Sequence, residues 1–163
     1  MTLLTDEINS LVGATKEYTA PEPIGAAAFR YFAQAIRDTN PVFTDPSAAI
    51  AAGFPDVVAP PTLICETNQY VVAEPNEDGY AGHEWGIAIA GTRQIRGGND
   101  YEFGRPVVPS DVITALWTID SIVERVSRSG AAMVVVTSTA TYTNQDDEHI
   151  ATNTETIIYQ EVT

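Results

Sequence analysis

The 163-residue chain sets 22 Asp and Glu against 8 Lys and Arg, a formal charge of −14, and that field repels nucleic acid and anionic membrane surfaces, which proteins meet with basic patches. Hydrophobic residues at 44% and charged residues at 18% are ordinary globular usage, enough for one core without disulfide or metal, so a single domain over residues 1–163 is expected. A lone Cys65, no basic-then-apolar leader and no apolar run near the roughly 18 residues of a membrane span make a cytoplasmic protein the expectation.

Residues 1–13 read as a short helix, with Thr5 as N-cap to Asp6 and Glu7 and Gly13 as its stop. After the breaker Pro21-Glu22-Pro23, Ile24, Ala27, Ala28, Tyr31, Phe32, Ala35 and Ile36 repeat at the spacing of one helical face. Asp38-Thr39-Asn40-Pro41 ends that helix, because proline disfavours helical dihedrals at the residue before it. Asp45 is placed to cap a second short helix over 46–52, stopped by Gly53. A third helix, largely buried, is expected over 62–72 with Pro61 in its first turn, since Leu63, Ile64, Cys65, Tyr70 and Val71 leave it little polar surface. Residues 73–82 read as a loop.

From residue 84 the period changes to two. A first strand is expected over 84–95. Alternation in 112–119 and 134–142 and the β-branched run 154–159 give further strands, with turns at Ser127-Arg128-Ser129-Gly130 and at residues 144–148. Helices followed by an antiparallel meander is an α+β order, in which a curved sheet wraps the apolar third helix.

Asp38, Asn40 and Pro41 resemble the D-x-N-P-x-H motif of MaoC-like hot-dog hydratases and dehydratases, with Phe43 where that family has its histidine. The stretches 59–62 and 97–111 resemble the fatty-acid-synthase-type branch, which contains HadA-type subunits and the amino-terminal domains of steroid side-chain hydratases. The resemblance implies a single hot-dog domain, a coenzyme A or carrier thioester as substrate and no other cofactor. In the family an Asp/His pair activates water while backbone N–H groups at the start of the central helix hold the thioester oxygen. Phe43 can neither take nor give a proton, and Pro60-Pro61 stand for the family's His-Gly, so that if Pro61 takes the glycine's position one oxyanion donor is gone. The implied role is a non-catalytic, substrate-accommodating subunit of a heteromeric (R)-specific enoyl-CoA hydratase or 3-hydroxyacyl dehydratase. Its second hot-dog subunit would carry an intact D-x-N-P-x-H, and its acyl chain would be bulky, a steroid side chain or long fatty acid. Phe43, Pro61 and Thr62 would line the substrate.

Two other readings stand beside it: a self-sufficient homodimeric hydratase with an unrecognised base, and an acyl-CoA binding module without turnover. Individual residues are equally open. Asp38 and Asn40 fit both a degenerate catalytic motif and a helix exit closed by an Asx turn. Arg93, Arg96 and Arg105 lie close enough in sequence to flank one strand end and meet coenzyme A phosphates, or they are solvated surface. His83, expected in an exposed loop, is either a rescued general base or no catalyst. Cys65 reads as a buried inert thiol, two isolated histidines give no zinc spacing, and Gly97-Gly98 lacks the Lys and Ser/Thr of a phosphate loop.

Overall fold

The computed structural model describes residues 2–65, 71, 72, 74–77 and 79–162. Thr5 caps α1 (Asp6–Asn9), its hydroxyl accepting from the Ile8 N–H at 3.2 Å. The chain then forms a strand that the sequence did not signal, β1 (Thr15–Thr19). Its five residues, TKEYT, are too short and too polar to show alternation by themselves; pairing against β3 makes them a strand.

Helix α2 (Gly25–Ala35) buries Phe29 and Ala33, a face rotated from the one the spacing picks out: Ile24, Ala28 and Phe32 are half-buried, whereas Ala27, Tyr31, Ala35 and Ile36 are exposed. It ends in a Schellman turn: the Arg37 N–H donates to the Gln34 carbonyl and the Asp38 N–H to the Ala33 carbonyl, with Arg37 left-handed at φ +58°. A 3-10 turn, Pro41–Phe43, follows, and Asp45 caps α3 (Pro46–Ala51) through the Ser47 N–H at 2.8 Å. Where the third helix is expected, the described residues form a 3-10 turn, Pro61–Cys65, opened by the Leu63 N–H donating to Pro60. Leu63, Ile64 and Val71 are buried, and residues 66–70 lie outside the described residues.

The strands β2 (Thr92–Phe103), β3 (Thr114–Val126), β4 (Ala132–Thr143) and β5 (His149–Glu161) complete one antiparallel sheet in the order β1-β3-β4-β5-β2. Register shifts between Ile119 and Ser121 and between Arg96 and Gly98 bend it. Its inner face is apolar toward both ends. Ile119, Val134, Val136 and Tyr159 form one buried cluster, and Phe29, Ala115, Tyr142 and Ile150 belong to another.

The strand expected over 84–95 is a correction. Strand structure begins only at Thr92. Ile87 and Ile89 do alternate with exposed Gly86, Ala88 and Ala90, but they pack on the core from an extended segment outside the ladder. Alternation reports which side is buried, not which backbone groups pair. The true strand reads as polar because β2 is an edge, and Gly97-Gly98 are its bulge: a Cβ at Gly97 would lie 2.9 Å from the Thr156 methyl, and Gly98 has φ +151°. No helix among the described residues is long and apolar enough to cross a membrane.

Candidate functional site

The motif residues sit at the exit of α2. Asp38 is exposed, and its Oδ1 accepts from the Asn40 N–H at 2.9 Å; Asn40 in turn accepts from the Val42 N–H at 3.2 Å and caps the 3-10 turn. Each polar side chain is therefore engaged in local turn chemistry. Phe43 is 7% exposed and packs with Ala33 and Val58, flanked by Val42, Phe54 and Val108. The ring at the histidine's place is core.

Pro60 is fully buried, whereas Pro61 and Thr62 are exposed at the start of the second 3-10 turn. Pro61 lines a cleft of about 170 Å³ with Ile64, Phe103, Arg105 and Ile150.

The arginines do not flank one strand end as expected. Arg93 and Arg96 stand near the start of β2 and Arg105 lies beyond its far end, a separation of about 30 Å at strand rise. Arg93 pairs in register with Gln160 and Arg96 with Ile157, which puts them on opposite faces. Arg93 Nη2 donates to Gln160 Oε1 at 2.9 Å, and Arg96 lies 3.5 Å from Glu155. Arg105 holds the buried Asp111 bidentately at 2.9 and 3.2 Å and forms an ion pair with Glu148 at 2.8 Å, off its N–H axis. Burial alone would raise the Asp111 carboxyl, but hydrogen bonds from Arg105, the Val108 N–H and Asn144 outweigh it and hold the group below its usual range. Arg105 is thus a strut for the β4–β5 turn, its fork already filled by carboxylates.

The inner face of the sheet holds a second group that the sequence reading missed. Cross-strand register aligns Asn99, Glu155 and Ser138 in one row and Tyr101, Asn153, Ala140 and Trp117 in the next. His83 lies over that face. It is 7% exposed rather than on an open loop, stacks on Trp117 at 4.0 Å between ring centroids and meets Trp85 edge-on at 4.8 Å. His83 Nδ1 is 3.1 Å from the Tyr18 hydroxyl. Burial, with Lys16 nearby, pushes the imidazole down to about 3, so it is neutral near pH 7. Burial raises Glu155 despite Arg96. The available signal was Asn153 and Glu155 at inward positions of a strand whose other inward residues are Ala151, Ile157 and Tyr159.

A curved antiparallel sheet with its helices in the first part of the chain, and a degenerate hydratase motif at the exit of α2, define a hot-dog domain of the dehydratase type. Residues 10–153 match the family described as the FAS1-like, dehydratase domain region, and the chain belongs to that family. It is 36% identical over 113 residues to a UPF0336 protein of Streptomyces coelicolor, covering 69% of this chain and 71% of that one. A UPF0336 protein of Streptomyces avermitilis is 33% identical over 143 residues, 88% of each chain. Among solved structures, the ChsH1-ChsH2 complex from Mycobacterium tuberculosis superposes with a TM-score of 0.72 at 19% identity, over 95% of this chain and 92% of that one. The truncated HadBC 3R-hydroxyacyl-ACP dehydratase complex from the same organism gives 0.63 at 26%, over 91% and 96%. A MaoC-like dehydratase from Rhodospirillum rubrum gives 0.65 at 21%, over 93% and 94%.

Proposed function

We propose that this chain is the non-catalytic, substrate-accommodating subunit of a heteromeric (R)-specific enoyl-thioester hydratase or 3-hydroxyacyl dehydratase acting on a bulky acyl chain. The observation that carries the reading is Phe43 packed into an apolar cluster at the motif's histidine position, five residues after an exposed Asp38 whose carboxylate closes a turn. Hydration of a trans-2-enoyl thioester needs a base on the attacking water and a proton for the α-carbon; losing such assistance costs about 10²–10⁴ in rate. A subunit without these groups still contributes by orienting the acyl chain for a partner that has them. The partner is a second hot-dog subunit with an intact D-x-N-P-x-H, a reading supported by the two-protein complexes among the structural relatives.

The exposed edge of β2 fits such a partner, because an unpaired strand edge is satisfied by continuing the sheet into another subunit. Of the three arginines, Arg93 and Arg96 remain candidates for the coenzyme A phosphates. The test is hydration of crotonyl-CoA and of longer enoyl-CoAs by the purified chain with and without the intact-motif product of a neighbouring gene. Turnover is expected only for the pair. Turnover by the chain alone would overturn the subunit role, and none from either preparation would leave a binding module.

A further inference from the structure

Of the four buried side-chain polar atoms without a hydrogen-bond partner among the described residues, three line one place on the inner face, His83 Nε2, Trp117 Nε1 and Asn153 Oδ1; the fourth, Arg105 Nε, lies in the ion pair with Glu148. The three residues are 7%, 2% and 1% exposed. Each such atom left unpaired costs roughly 1–3 kcal/mol, so their convergence marks a place where a partner atom belongs. Around them is a void of about 20 Å³, about the room of a single oxygen atom with its hydrogen. Tyr80, His83, Arg96 and Glu155 also line an adjoining cavity of about 290 Å³, walled by Trp85, Ile87 and Ile157.

We propose that this polar pocket receives an uncharged hydroxyl or carbonyl oxygen borne on the acyl chain beyond the C3 at which the reaction itself takes place, so that the substrates carry a second oxygen farther along the chain; the proposal rests on the acyl-thioester reading above. The atoms select the chemistry. Trp117 Nε1 can only donate and Asn153 Oδ1 can only accept, while His83 Nε2 takes whichever role Nδ1 leaves it in its contact with Tyr18. A hydroxyl both accepts and donates and can satisfy such a set; a ketone satisfies the donors. A methylene satisfies none and leaves all three dry. Arg96 and Glu155 lie 3.5 Å apart on the same rim and compensate each other, so neither an anion nor a cation finds an unpaired counter-charge to offset the cost of entering the buried pocket. Burial keeps His83 neutral, which adds no charge to the pocket. The larger cavity is mixed, with Asn76, Glu84 and Gln94 in its lining, and its apolar strip of Trp85, Ile87, Val136 and Ile157 suits the hydrocarbon leading to that oxygen.

The test titrates the 163-residue protein with a series of saturated acyl-CoAs bearing one hydroxyl at successive chain carbons from C4 outward, each against its unsubstituted parent. Binding is read by calorimetry and by the fluorescence of Trp85 and Trp117, the chain's two tryptophans. At one hydroxyl position the substituted ligand is expected to bind at least about tenfold more tightly than its parent, because the parent strands the pocket's polar atoms. His83→Phe preserves the aromatic stack and removes both ring nitrogens, and is expected to bring that ratio within about threefold. Asn153→Leu, which leaves the stack untouched, should do the same, so either variant serves if the other fails to melt cooperatively. Equal affinity for substituted and parent ligands at every position overturns the proposal alone and assigns the void to a water. Failure of every acyl-CoA to bind overturns the acyl-thioester reading together with the proposal.

Discussion

Acidification should weaken this fold through His83 well before most of its carboxylates are protonated. The imidazole is held at about 3 against an ordinary 6.5, so below 6.5 the unfolded chain binds a proton that the folded chain refuses. A depressed folded value means the contribution is complete above 6.5 and is lost as pH falls toward 3. Each pH unit in that interval removes about 1.4 kcal/mol, roughly 3 kcal/mol by pH 4 and roughly 5 kcal/mol over the whole interval. Against a typical total of about 5–15 kcal/mol this is a large share. Glu155 works in the opposite sense, since its raised carboxyl favours the folded state as pH falls, and it trims the loss at the acid end. Urea titrations at pH 7, 6, 5 and 4, followed by tryptophan fluorescence, measure the slope directly, because both tryptophan rings touch His83. In His83→Phe the slope between pH 6.5 and 4 should nearly vanish. A wild-type midpoint unchanged from pH 7 to 5, or a variant with the same slope as wild type, would refute the burial of a neutral imidazole.

Phe43→His should lower stability by about 2–3 kcal/mol, through the lost apolar ring and an imidazole buried against Ala33 and Val58, and should confer no enoyl-CoA hydration on the isolated protein. Chemical denaturation and a spectrophotometric hydration assay check both halves. Asp111→Ala should cost about 3 kcal/mol by stranding Arg105, Asn144 and the Val108 N–H. Because the Asp111 carboxyl is held below 3.8, its contribution is full above that pH and is lost as pH falls through the folded value, which a wild-type against variant denaturation series down to pH 3 would display. Arg37→Gly should raise the melting free energy by about 0.5–1 kcal/mol, since glycine occupies the left-handed position at φ +58° without the Cβ penalty.

Local signals carried the helix caps better than the helix lengths: the helix expected over 1–13 is only Asp6–Asn9. The cap at Thr5, the helix after Pro23, the Asp45 cap and the stop at Gly53 depend on residues within four positions of one another, and each is where periodicity and capping put it, although α2 turns Phe29 and Ala33 rather than Tyr31 and Ile36 to the core. What failed depends on distant partners. Strand β1 exists because β3 lies beside it, and 84–91 are not a strand because they have no ladder neighbour, although their alternation is genuine. The motif was legible down to the substituted histidine, but the turn hydrogen bonds of Asp38 and the burial of Phe43 needed coordinates. The arginines failed for a plain reason: sequence proximity in an extended strand becomes distance, at about 3.3 Å per residue, and odd spacing sends side chains to opposite faces. His83 failed in the other direction, since Gly82 and Glu84 beside it suggested an open loop, whereas Tyr18 and Trp117 from distant parts of the chain enclose it together with the nearby Trp85.

The central claim, a hot-dog subunit silent at its own motif, is tested most directly by paired alanine substitutions in the reconstituted hydratase. Asp38→Ala in this chain is expected to leave kcat/KM of the complex within a few-fold of wild type, while alanine at the partner's motif aspartate should cost on the order of 10³ or more. Turnover by the unmodified chain alone, abolished by Asp38→Ala, would contradict the claim and make Asp38 a working catalyst without its histidine.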